Sequence, residues 1–298
     1  MARENVVLIT GASAGFGRLM AESLARKNYF VFATMRGVSG KNKAAATELL
    51  QLAGRESLNL RVLELDVTDE QSVNRAVDAV IAEAGRLDVA INNAGYGIAG
   101  LAEAFTVAQA QRIFDTNFFG AVRVNRAVLP HMRRQGSGLL IHISSGAGRA
   151  AIPGLAFYSA TKFALEALSE AYRDELASQG VDFILVEPGA YATSIFGKFE
   201  LPEDAARAES YGEASDIPKR MAAAIQAAAG NAQEVADAVV RLIETPAGSR
   251  PVRTRVAPAP SEASDAYNKL SDQLHAGFLD WLGLKDLTKF RLRAKSAD

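Results

Sequence analysis

A tyrosine and a lysine four residues apart form the pair in this sequence with the clearest chemistry. Tyr158 and Lys162 fall in a helical pattern, where side chains at i and i+4 share one face. An ammonium group beside the phenol favours the phenolate, so we expect it to lower the pKa of Tyr158 from about 10 and to allow proton exchange with a carbonyl or alcohol oxygen. Upstream, an apolar run ends in Ser144 and Ser145, and a serine there could hydrogen-bond the same oxygen. The tyrosine, lysine and serine together predict a proton-transfer site. A tyrosine and a lysine at this spacing also arise by chance on solvated helices.

The first strand and the glycine turn after it predict a phosphate-binding loop. Residues 5–10 form an apolar, β-branched run without alternation, which is typical of a strand buried on both faces of a parallel sheet. A glycine-rich turn and a helical pattern follow. Glycines let the backbone approach a pyrophosphate, and a helix N-terminus offers it unpaired N–H groups, although the same turn could simply close a tight strand–helix corner. The predicted contacts are Gly11, Ser13, Ala14, Gly15, Phe16 and Gly17.

The end of the second predicted strand, residues 29–34, indicates which dinucleotide is bound. In dinucleotide folds an acid at this position binds the adenosine ribose, whereas an arginine accommodates a 2′-phosphate. The chain has Arg36 here and no acid. With Lys41, Lys43 or Arg18 as possible helpers, Arg36 favours NADP(H) over NAD(H). The alternative is an ordinary solvated loop arginine.

Other polar or small residues follow the next predicted strands. Asp66 and Val67 follow the strand at residues 59–65, and Asp66 either hydrogen-bonds adenine or caps the next helix. The strand at residues 87–91 runs into amides and small residues that suit a backbone passing close to a cofactor, namely Asn93, Ala94 and Gly95. Asn117 lies among apolar residues of a long helical stretch, where asparagine is disfavoured. Its presence indicates a role for its side chain or for a disturbed backbone.

The alternation of strands and helical stretches defines the predicted fold. It indicates an α/β, Rossmann-type, doubly wound parallel sheet of about seven strands, with right-handed crossovers and helices on both faces. The 298 residues are expected to form a single catalytic domain, with a substrate lid at about 193–230 and a C-terminal extension at about 257–298. The extension carries an apolar cluster that we expect to pack on its own domain, with the substrate pocket or a neighbouring subunit as alternatives. Its residues are Phe278, Leu279, Trp281, Leu282 and Leu284.

Composition excludes several classes of function. The net charge is −1, from 33 basic and 34 acidic residues without long basic runs, so the sequence predicts no nucleic-acid partner. There is no cysteine, and the three histidines are scattered, which leaves no metal-ligand spacing. No signal peptide is recognisable and no apolar run approaches the roughly 18 residues of a membrane span. We therefore expect a cytoplasmic protein with a small, roughly neutral partner.

Over about residues 5–256 the sequence resembles the short-chain dehydrogenase/reductase family. The shared motifs are Thr10 to Gly17, Asp66, Asn92 to Gly95, Asn117, Ser145, Tyr158, Lys162, Pro188, Gly189 and Thr193. The resemblance implies that Tyr158 is the acid/base and that Lys162 binds the nicotinamide ribose. It further implies that Asn117 holds a proton-relaying water and that Ser145 orients the substrate oxygen.

The resemblance also implies the contacts at the nicotinamide end. Thr193 would bond the carboxamide, beside Pro188 and Gly189. Tyr191 departs from the family pattern, which usually has an aliphatic residue there, although a contact made by its backbone would survive. The family also implies a homodimer or homotetramer built through the two long helices.

The activity that the resemblance implies is NADP(H)-dependent reduction of an apolar ketone or aldehyde, with Tyr158 as general acid. The expected pocket residues are mainly apolar and aromatic, with core or lid packing as the alternative for each: Tyr96, Ile98, Ile152, Leu155, Phe157, Tyr191, Ile195, Phe196 and Phe199. One alternative is an alcohol, hydroxysteroid or retinol-like dehydrogenase working in the oxidative direction. Others are a dehydratase or epimerase relative and a non-catalytic NADP-binding regulator, although the Ser, Tyr and Lys set is intact.

Overall fold

A single sheet of seven parallel strands organises the chain. The computed structural model describes residues 5–191, 199–258 and 261–292. The strands lie in the order β3-β2-β1-β4-β5-β6-β7, and every neighbouring pair is parallel. Their bounds are β1 Val6–Ile9, β2 Phe30–Met35, β3 Leu60–Glu64, β4 Val89–Asn92, β5 Gly138–Ile143, β6 Val181–Pro188 and β7 Arg253–Val256. The predicted doubly wound α/β fold is confirmed.

Helices connect the strands and cover both faces of the sheet. The chain builds β1, β2 and β3 outward, then returns to place β4 on the other side of β1, so the strand order reverses between β1 and β4. Ligands of open α/β sheets bind at the carboxyl ends beside such a reversal. The helices are α1 Gly15–Arg26, α2 Lys43–Glu56, α3 Glu70–Ala84, α4 Val107–Phe114, α5 Gly120–Gln135, α6 Ala156–Ala177, α7 Ala205–Glu209, α8 Ile217–Ala227, α9 Gln233–Glu244 and α10 Glu262–Trp281.

The apolar first strand shows why the sheet is covered on both sides. Successive side chains of a strand point to opposite faces. Val7 and Ile9 accordingly belong to a core that contains residues of α1, α2 and α9. Val6 and Leu8 belong to a second core with residues of α3 and α5. A strand whose side chains enter a core on each side has no polar face, which explains its continuous apolar sequence.

The long helical stretch predicted before β5 contains a change of helix type. Helix α4 begins after Thr106, whose hydroxyl accepts a hydrogen bond from the Gln109 N–H at 3.2 Å in a capping box. A π-helical turn, Asp115–Phe119, then separates α4 from α5 and contains Asn117. Single π turns inside α-helices are rare and are frequently found at functional sites. The disturbed backbone predicted from Asn117 is therefore present.

The C-terminal apolar cluster does not pack on its own domain, so that expectation is wrong. Phe278, Trp281, Leu282 and Leu284 are exposed, and no residue of the described helix α10 is fully buried. The reason is that α10 contacts the domain through polar side chains on another face. Asn268, for example, donates a hydrogen bond to Glu187 at 2.7 Å.

The described residues contain neither a candidate membrane-spanning helix nor a candidate metal site. Within residues 5–191, 199–258 and 261–292, no helix has the length and apolar character required to cross a membrane. Across the same ranges, the carboxylates and histidines form no group of three or more that could hold a metal ion.

Candidate active site

The predicted site residues meet in one cleft at the carboxyl ends of the strands. The cleft has a volume of about 640 Å³, within the usual range for small-molecule sites. Its lining includes Gly11, Ser13, Ala14, Gly15, Phe16, Arg36, Asp66, Val67, Asn93, Ala94, Gly95, Ser145, Tyr158, Lys162, Pro188, Gly189 and Tyr191. Two further predicted residues, Gly17 and Asn117, lie behind this lining, and Thr193 lies outside the described residues.

The glycine loop forms a cradle that leaves no room for side chains. Gly11 has a φ of 71°, in the left-handed region that favours glycine. A Cβ atom on Gly17 would lie 2.4 Å from the Gly11 carbonyl oxygen and 2.5 Å from Asn93 Nδ2. Asn93 Nδ2 also donates to the Thr10 carbonyl at 2.8 Å, which joins the ends of β1 and β4. The loop is thus held flat against the neighbouring strand end.

Helix α1 begins directly at this cradle. Its N-cap residue, Ala14, has no side chain that can accept from the first N–H groups of the helix. Unpaired N–H groups and the positive end of the helix dipole favour an anion at that position. The cradle and the helix terminus therefore fit the pyrophosphate of a dinucleotide.

Basic residues border the adenosine end of the cleft. Arg36 is exposed and lines the cleft, as do Lys41 and Asn42. The Arg36 carbonyl accepts a hydrogen bond from Asn42 Nδ2 at 2.6 Å, which holds the turn after β2. Arg18, a possible helper, instead pairs with Glu22 and Glu48 at 2.9 and 2.5 Å. Arg36 and Lys41 thus remain as the cations at this end.

Asp66 closes a turn and does not cap the next helix. Its Oδ1 accepts hydrogen bonds from the Thr68 N–H at 3.0 Å and the Thr68 hydroxyl at 2.8 Å. The N-cap of α3 is Asp69, whose side chain accepts from the Gln71 N–H. Burial raises the pKa of Asp66, but the Thr68 hydrogen bonds and the charges of Arg36 and Lys41 outweigh burial and lower it overall. A carboxylate therefore faces the cleft.

Helix α6 places Tyr158 and Lys162 on one face, as their spacing predicts. Both side chains line the cleft, beside Ser145 at the end of β5. Lys162 Nζ donates to the Ile143 carbonyl at 2.8 Å and lies 5.7 Å from the centre of the Tyr158 ring. The ammonium is therefore fixed by the strand end and faces the ring of the tyrosine.

The pKa values of this group differ from the sequence-based expectation. Burial raises the pKa of Tyr158, and a hydrogen bond from Ser145 opposes this rise only in part. The expected lowering by Lys162 is therefore wrong for the protein alone, because desolvation of the phenolate dominates. Burial also lowers the pKa of Lys162 to about 8, against the opposing charge of Glu166. Lys162 is thus the more easily titrated of the pair.

Asn117 holds the backbone of a residue that lines the cleft. Its Oδ1 accepts from the Tyr96 N–H at 3.0 Å, and its Nδ2 donates to the Tyr96 carbonyl at 2.9 Å. A Cβ atom on Gly95 would lie 3.0 Å from Asn117 Oδ1, a tight contact that a glycine avoids. The π-helical turn therefore connects to the cleft through its asparagine.

Tyr191 is among the lining residues of the cleft, and its side chain belongs to the core. Its ring packs edge-on against Phe16 with ring centres 5.8 Å apart, and its hydroxyl donates to Glu234 at 2.9 Å. Burial and Glu234 raise its pKa to about 12. Its aromatic ring is thus a link between α1 and α9, which explains how a tyrosine is accommodated here.

The walls of the cleft contain only part of the predicted substrate pocket. Tyr96, Ile152, Leu155 and Phe199 line it, whereas Ile195 and Phe196 lie outside the described residues. Ile98 and Phe157 are not among the lining residues: Ile98 belongs to a separate small core, and Phe157 packs against it, as the alternative of core packing expects.

The sequence analysis missed one wall of the cleft and the charges behind it. Ile225 of α8 joins the lining, and only the tertiary position of α8 reveals this contact. A cluster of charges also lies behind Lys162. The Arg253 guanidinium donates to Glu166 at 3.0 Å and lies 3.7 Å from Glu187, whose pKa burial raises to about 7. These residues are distant in sequence, so no local spacing could have shown the cluster.

The fold and cleft are those of a dinucleotide-binding protein, and comparisons with known proteins specify the family. Residues 5–204 match the family model for short chain dehydrogenases. The 3-ketodihydrosphingosine reductase of Bacteroides thetaiotaomicron is 39% identical over 208 residues, which cover 70% of this chain and 72% of the reductase. Human retinol dehydrogenase 8 is 40% identical over 202 residues, which cover 66% of this chain and 62% of that protein. The chain belongs to the short-chain dehydrogenase/reductase family.

Solved structures agree with this assignment. A short-chain dehydrogenase from Streptomyces avermitilis superposes with a TM-score of 0.73 at 32% identity, covering 97% of this chain and all of the other. An alcohol dehydrogenase from Thermococcus sibiricus, complexed with 5-hydroxy-NADP, has a TM-score of 0.69 at 26% identity and covers 87% of this chain and 99% of its own. The protein is thus an oxidoreductase that uses a nicotinamide cofactor.

Proposed function

We propose that the protein reduces an apolar ketone or aldehyde to the alcohol with NADPH. The observation that carries the proposal is the meeting of Ser145, Tyr158 and Lys162 beside a glycine cradle in one largely apolar cleft. In the reverse direction the same groups would oxidise the alcohol.

The residues that would hold the cofactor follow from the two ends of the cleft. The glycine cradle and the start of α1 would bind the pyrophosphate. Arg36 and Lys41 would bind a 2′-phosphate, because guanidinium and ammonium groups form charge-assisted hydrogen bonds with it. When bound, NADPH supplies a hydride to the carbonyl carbon. The related Thermococcus structure with an NADP derivative supports this choice over NAD.

Tyr158 and its neighbours would carry out the proton transfer to the substrate. The phenol stays protonated near neutral pH, as a general acid requires. It would donate its proton to the substrate oxygen, which Ser145 would hold by a second hydrogen bond. Lys162, fixed by the Ile143 carbonyl, would stabilise the tyrosinate left behind. Asn117 would act through Tyr96, whose backbone it holds.

The substrate class follows from the walls of the cleft. Ile152, Leu155, Phe199 and Ile225 offer apolar surface to a substrate, with the Tyr96 ring at the edge. Ile225 lies on α8, within the segment that we propose as a substrate lid. The 3-ketodihydrosphingosine reductase among the relatives supports an apolar ketone. A sugar would lack polar partners on these walls.

Retinol dehydrogenase 8 among the relatives supports a second candidate, oxidation of an apolar alcohol with NADP. The two candidates share the site and differ in direction. Both candidates use NADP(H), so the direction of turnover, and not the cofactor preference, discriminates between them.

The experiment that tests the function follows NADPH absorbance with a panel of apolar ketones and aldehydes. We expect turnover that needs NADPH, and we expect Tyr158→Phe to lower kcat by at least about 10²-fold, the scale of general acid catalysis. NADPH binding by the variant should remain close to wild type, because only one hydroxyl is removed.

Tyr172→Phe is the matched control, because Tyr172 lies on the same helix but packs against Phe183 away from the cleft. Near-normal turnover by Tyr158→Phe would refute the acid role. Tight NADPH binding without any reduction, accompanied by oxidation of an apolar alcohol, would favour the second candidate.

A further inference from the structure

Helix α10 lies on the domain with polar side chains inward. Asn268 donates to Glu187 at 2.7 Å, and Asp272 accepts from Arg253 at 2.5 Å. One turn further on, His275 pairs with a carboxylate of α6. A surface helix ordinarily turns its apolar side inward and its polar side to water. In α10 the polar contacts hold the helix on the domain, and a large apolar surface remains outside.

This apolar surface forms a stripe along the helix. The α10 stripe consists of Tyr267, Leu270, Leu274, Phe278 and Trp281, with 47%, 63%, 62%, 53% and 79% of each residue exposed. Aromatic side chains of about 150–250 Å² make the exposed area of such a stripe roughly 600 Å². The largest apolar patch of an ordinary monomer is about 300–600 Å² and is often functional, so this stripe lies at the upper end of that range. We therefore expect another molecular surface to cover the stripe.

The order of residues along the stripe is symmetric. The intervals are three, four, four and three residues, so the stripe reads the same in both directions from Leu274. In an antiparallel pair of identical helices, each residue faces the one equally far on the other side of the centre. Leu274 then meets Leu274 of the partner subunit, Leu270 meets Phe278 of the partner subunit, and Tyr267 meets Trp281 of the partner subunit. A two-fold interface requires this self-complementarity.

The charge of the helix argues against a membrane surface as the partner. Anionic lipid attracts clusters of lysine and arginine, typically on the polar face of an interfacial helix. Helix α10 has four acidic residues and one lysine: Glu262, Asp265, Asp272, Asp280 and Lys269. The stripe itself has no charged member, as expected of the centre of a protein interface.

We propose that a second copy of this chain covers the α10 stripe, in an antiparallel pair of α10 helices centred on Leu274. The stripe runs over 15 residues, from Tyr267 to Trp281, which is about 21 Å of helix. Exposed leucines continue the apolar surface beyond the helix at positions 282, 284 and 287. Together they approach the roughly 800 Å² per partner of a standard interface. This surface is distinct from α5 and α6, the long helices through which the family resemblance implies assembly.

The first test is the molar mass of the full-length protein by light scattering or sedimentation equilibrium. Leu274→Glu would place two carboxylates against each other at the two-fold axis. We expect this variant to halve the number of subunits, or to weaken association at least 100-fold. Ala276→Glu adds the same charge on the opposite side of α10 and should leave the assembly unchanged. NADPH binding and the melting temperature verify that each variant is folded.

A second test addresses the register of the two helices. Leu270→Lys and Phe278→Glu should each weaken the pair, whereas the double variant Leu270→Lys/Phe278→Glu should restore it, because each lysine then faces a carboxylate of the partner. The two positions lie eight residues apart, too far to pair within one helix. Leu270→Lys/Phe278→Lys is the matched control and should remain dissociated.

Cross-linking gives an independent readout because the chain has no cysteine. A short bismaleimide should join two Leu274→Cys chains at a dilution at which Ala276→Cys chains stay separate. A monomeric wild-type protein, or an unchanged mass for Leu274→Glu, would overturn the proposal. Binding of the wild type to anionic phospholipid vesicles that Leu274→Glu abolishes would assign the stripe to a membrane instead.

Discussion

At the residue scale, the two ends of the cleft suit different tasks, namely phosphate recognition at one end and proton transfer at the other. Arg36 and Lys41 border the adenosine end, and the half-buried Tyr158 and the buried Lys162 lie at the reacting end. The exposed cations suit recognition of a phosphate, whereas Tyr158 and Lys162 have pKa values that respond to desolvation. Single substitutions should therefore change cofactor preference and proton transfer separately.

The first residue-scale prediction concerns the cofactor. Arg36→Ala should weaken NADPH binding about 10- to 100-fold, since a hydrogen bond to a charged group contributes about 1.5–3 kcal/mol. NADH binding should change far less, because NADH has no 2′-phosphate. Titration calorimetry with both cofactors measures the difference. Arg18→Ala is the control, since Arg18 pairs with Glu22 and Glu48. Equal affinity of the wild type for NADH and NADPH would remove the basis for choosing NADP.

The second residue-scale prediction concerns pH. Reduction needs the protonated phenol of Tyr158, and oxidation needs the phenolate, so kcat/KM should fall with rising pH for reduction and rise for oxidation. The optimum for reduction should therefore lie at lower pH. Lys162→Met removes a positive charge beside the ring, which should move both profiles to higher pH.

Full pH profiles in both directions measure this prediction. Arg173→Met, which removes a cation further along α6 and outside the cleft, serves as the control. Identical optima for reduction and oxidation in the wild-type enzyme would contradict the role of Tyr158.

At the element scale, the π-helical turn between α4 and α5 is the least regular part of the site. It directs Asn117 at the backbone of Tyr96, where the amide both donates and accepts. A continuous α-helix would not need this residue, since asparagine is a poor helix former. The turn is thus a connection between the helix layer and the edge of the cleft.

Asn117→Ala should therefore destabilise the protein and impair catalysis together. It leaves the partly buried Tyr96 N–H and carbonyl without their partner, which costs about 1 kcal/mol of the free energy of unfolding. We expect kcat to fall as well, because Tyr96 lines the cleft. Asn117→Asp keeps the acceptor for the Tyr96 N–H but buries a carboxylate whose other oxygen would face the Tyr96 carbonyl, so its unfolding free energy should also lie below wild type. Denaturant unfolding measures both losses, and wild-type stability in both variants would contradict the prediction.

At the scale of the whole molecule, buried titratable groups connect stability to pH. His142 on β5 is fully buried, and burial followed by the charge of Lys162 lowers its pKa to about 3. Its Nε2 lies 3.1 Å from Asn125 Nδ2, and its Nδ1 lies 3.0 Å from the Ser169 hydroxyl. A neutral ring with its proton on Nδ1 satisfies both contacts, whereas a second proton would face the Asn125 amide hydrogens.

The free energy of unfolding should consequently fall as the pH is lowered from about 6.5 toward 3. In this window the unfolded chain binds a proton at His142 and the native state does not, so acid favours unfolding by up to about 1.4 kcal/mol per pH unit. In His142→Gln this dependence should become shallower. Urea unfolding at several pH values measures the slope. His131→Gln, at a partly exposed position, should alter the slope much less, and an unchanged slope in His142→Gln would contradict the prediction.

The sequence by itself determined the fold class and most of the cleft. Strand runs such as Val6–Ile9 must be buried on both faces, and glycines and polar residues at strand ends meet at one edge of a parallel sheet, so local patterns placed the cradle, Arg36 and the Tyr158–Lys162 pair. These features depend on residue spacing within one element or on the geometry of a parallel sheet, and both can be inferred from local sequence patterns.

Only the tertiary structure decided how the environment acts on these residues. Burial reversed the expected direction for the pKa of Tyr158, since desolvation depends on atoms from the whole chain. The assignment of Ile98 to a core, of Ile225 to the cleft and of the Tyr191 ring to the α1–α9 contact depended equally on long-range packing. The outward stripe of α10 has the same origin. Helical periodicity shows that a helix has an apolar side, but the contacts with the domain decide which way that side faces.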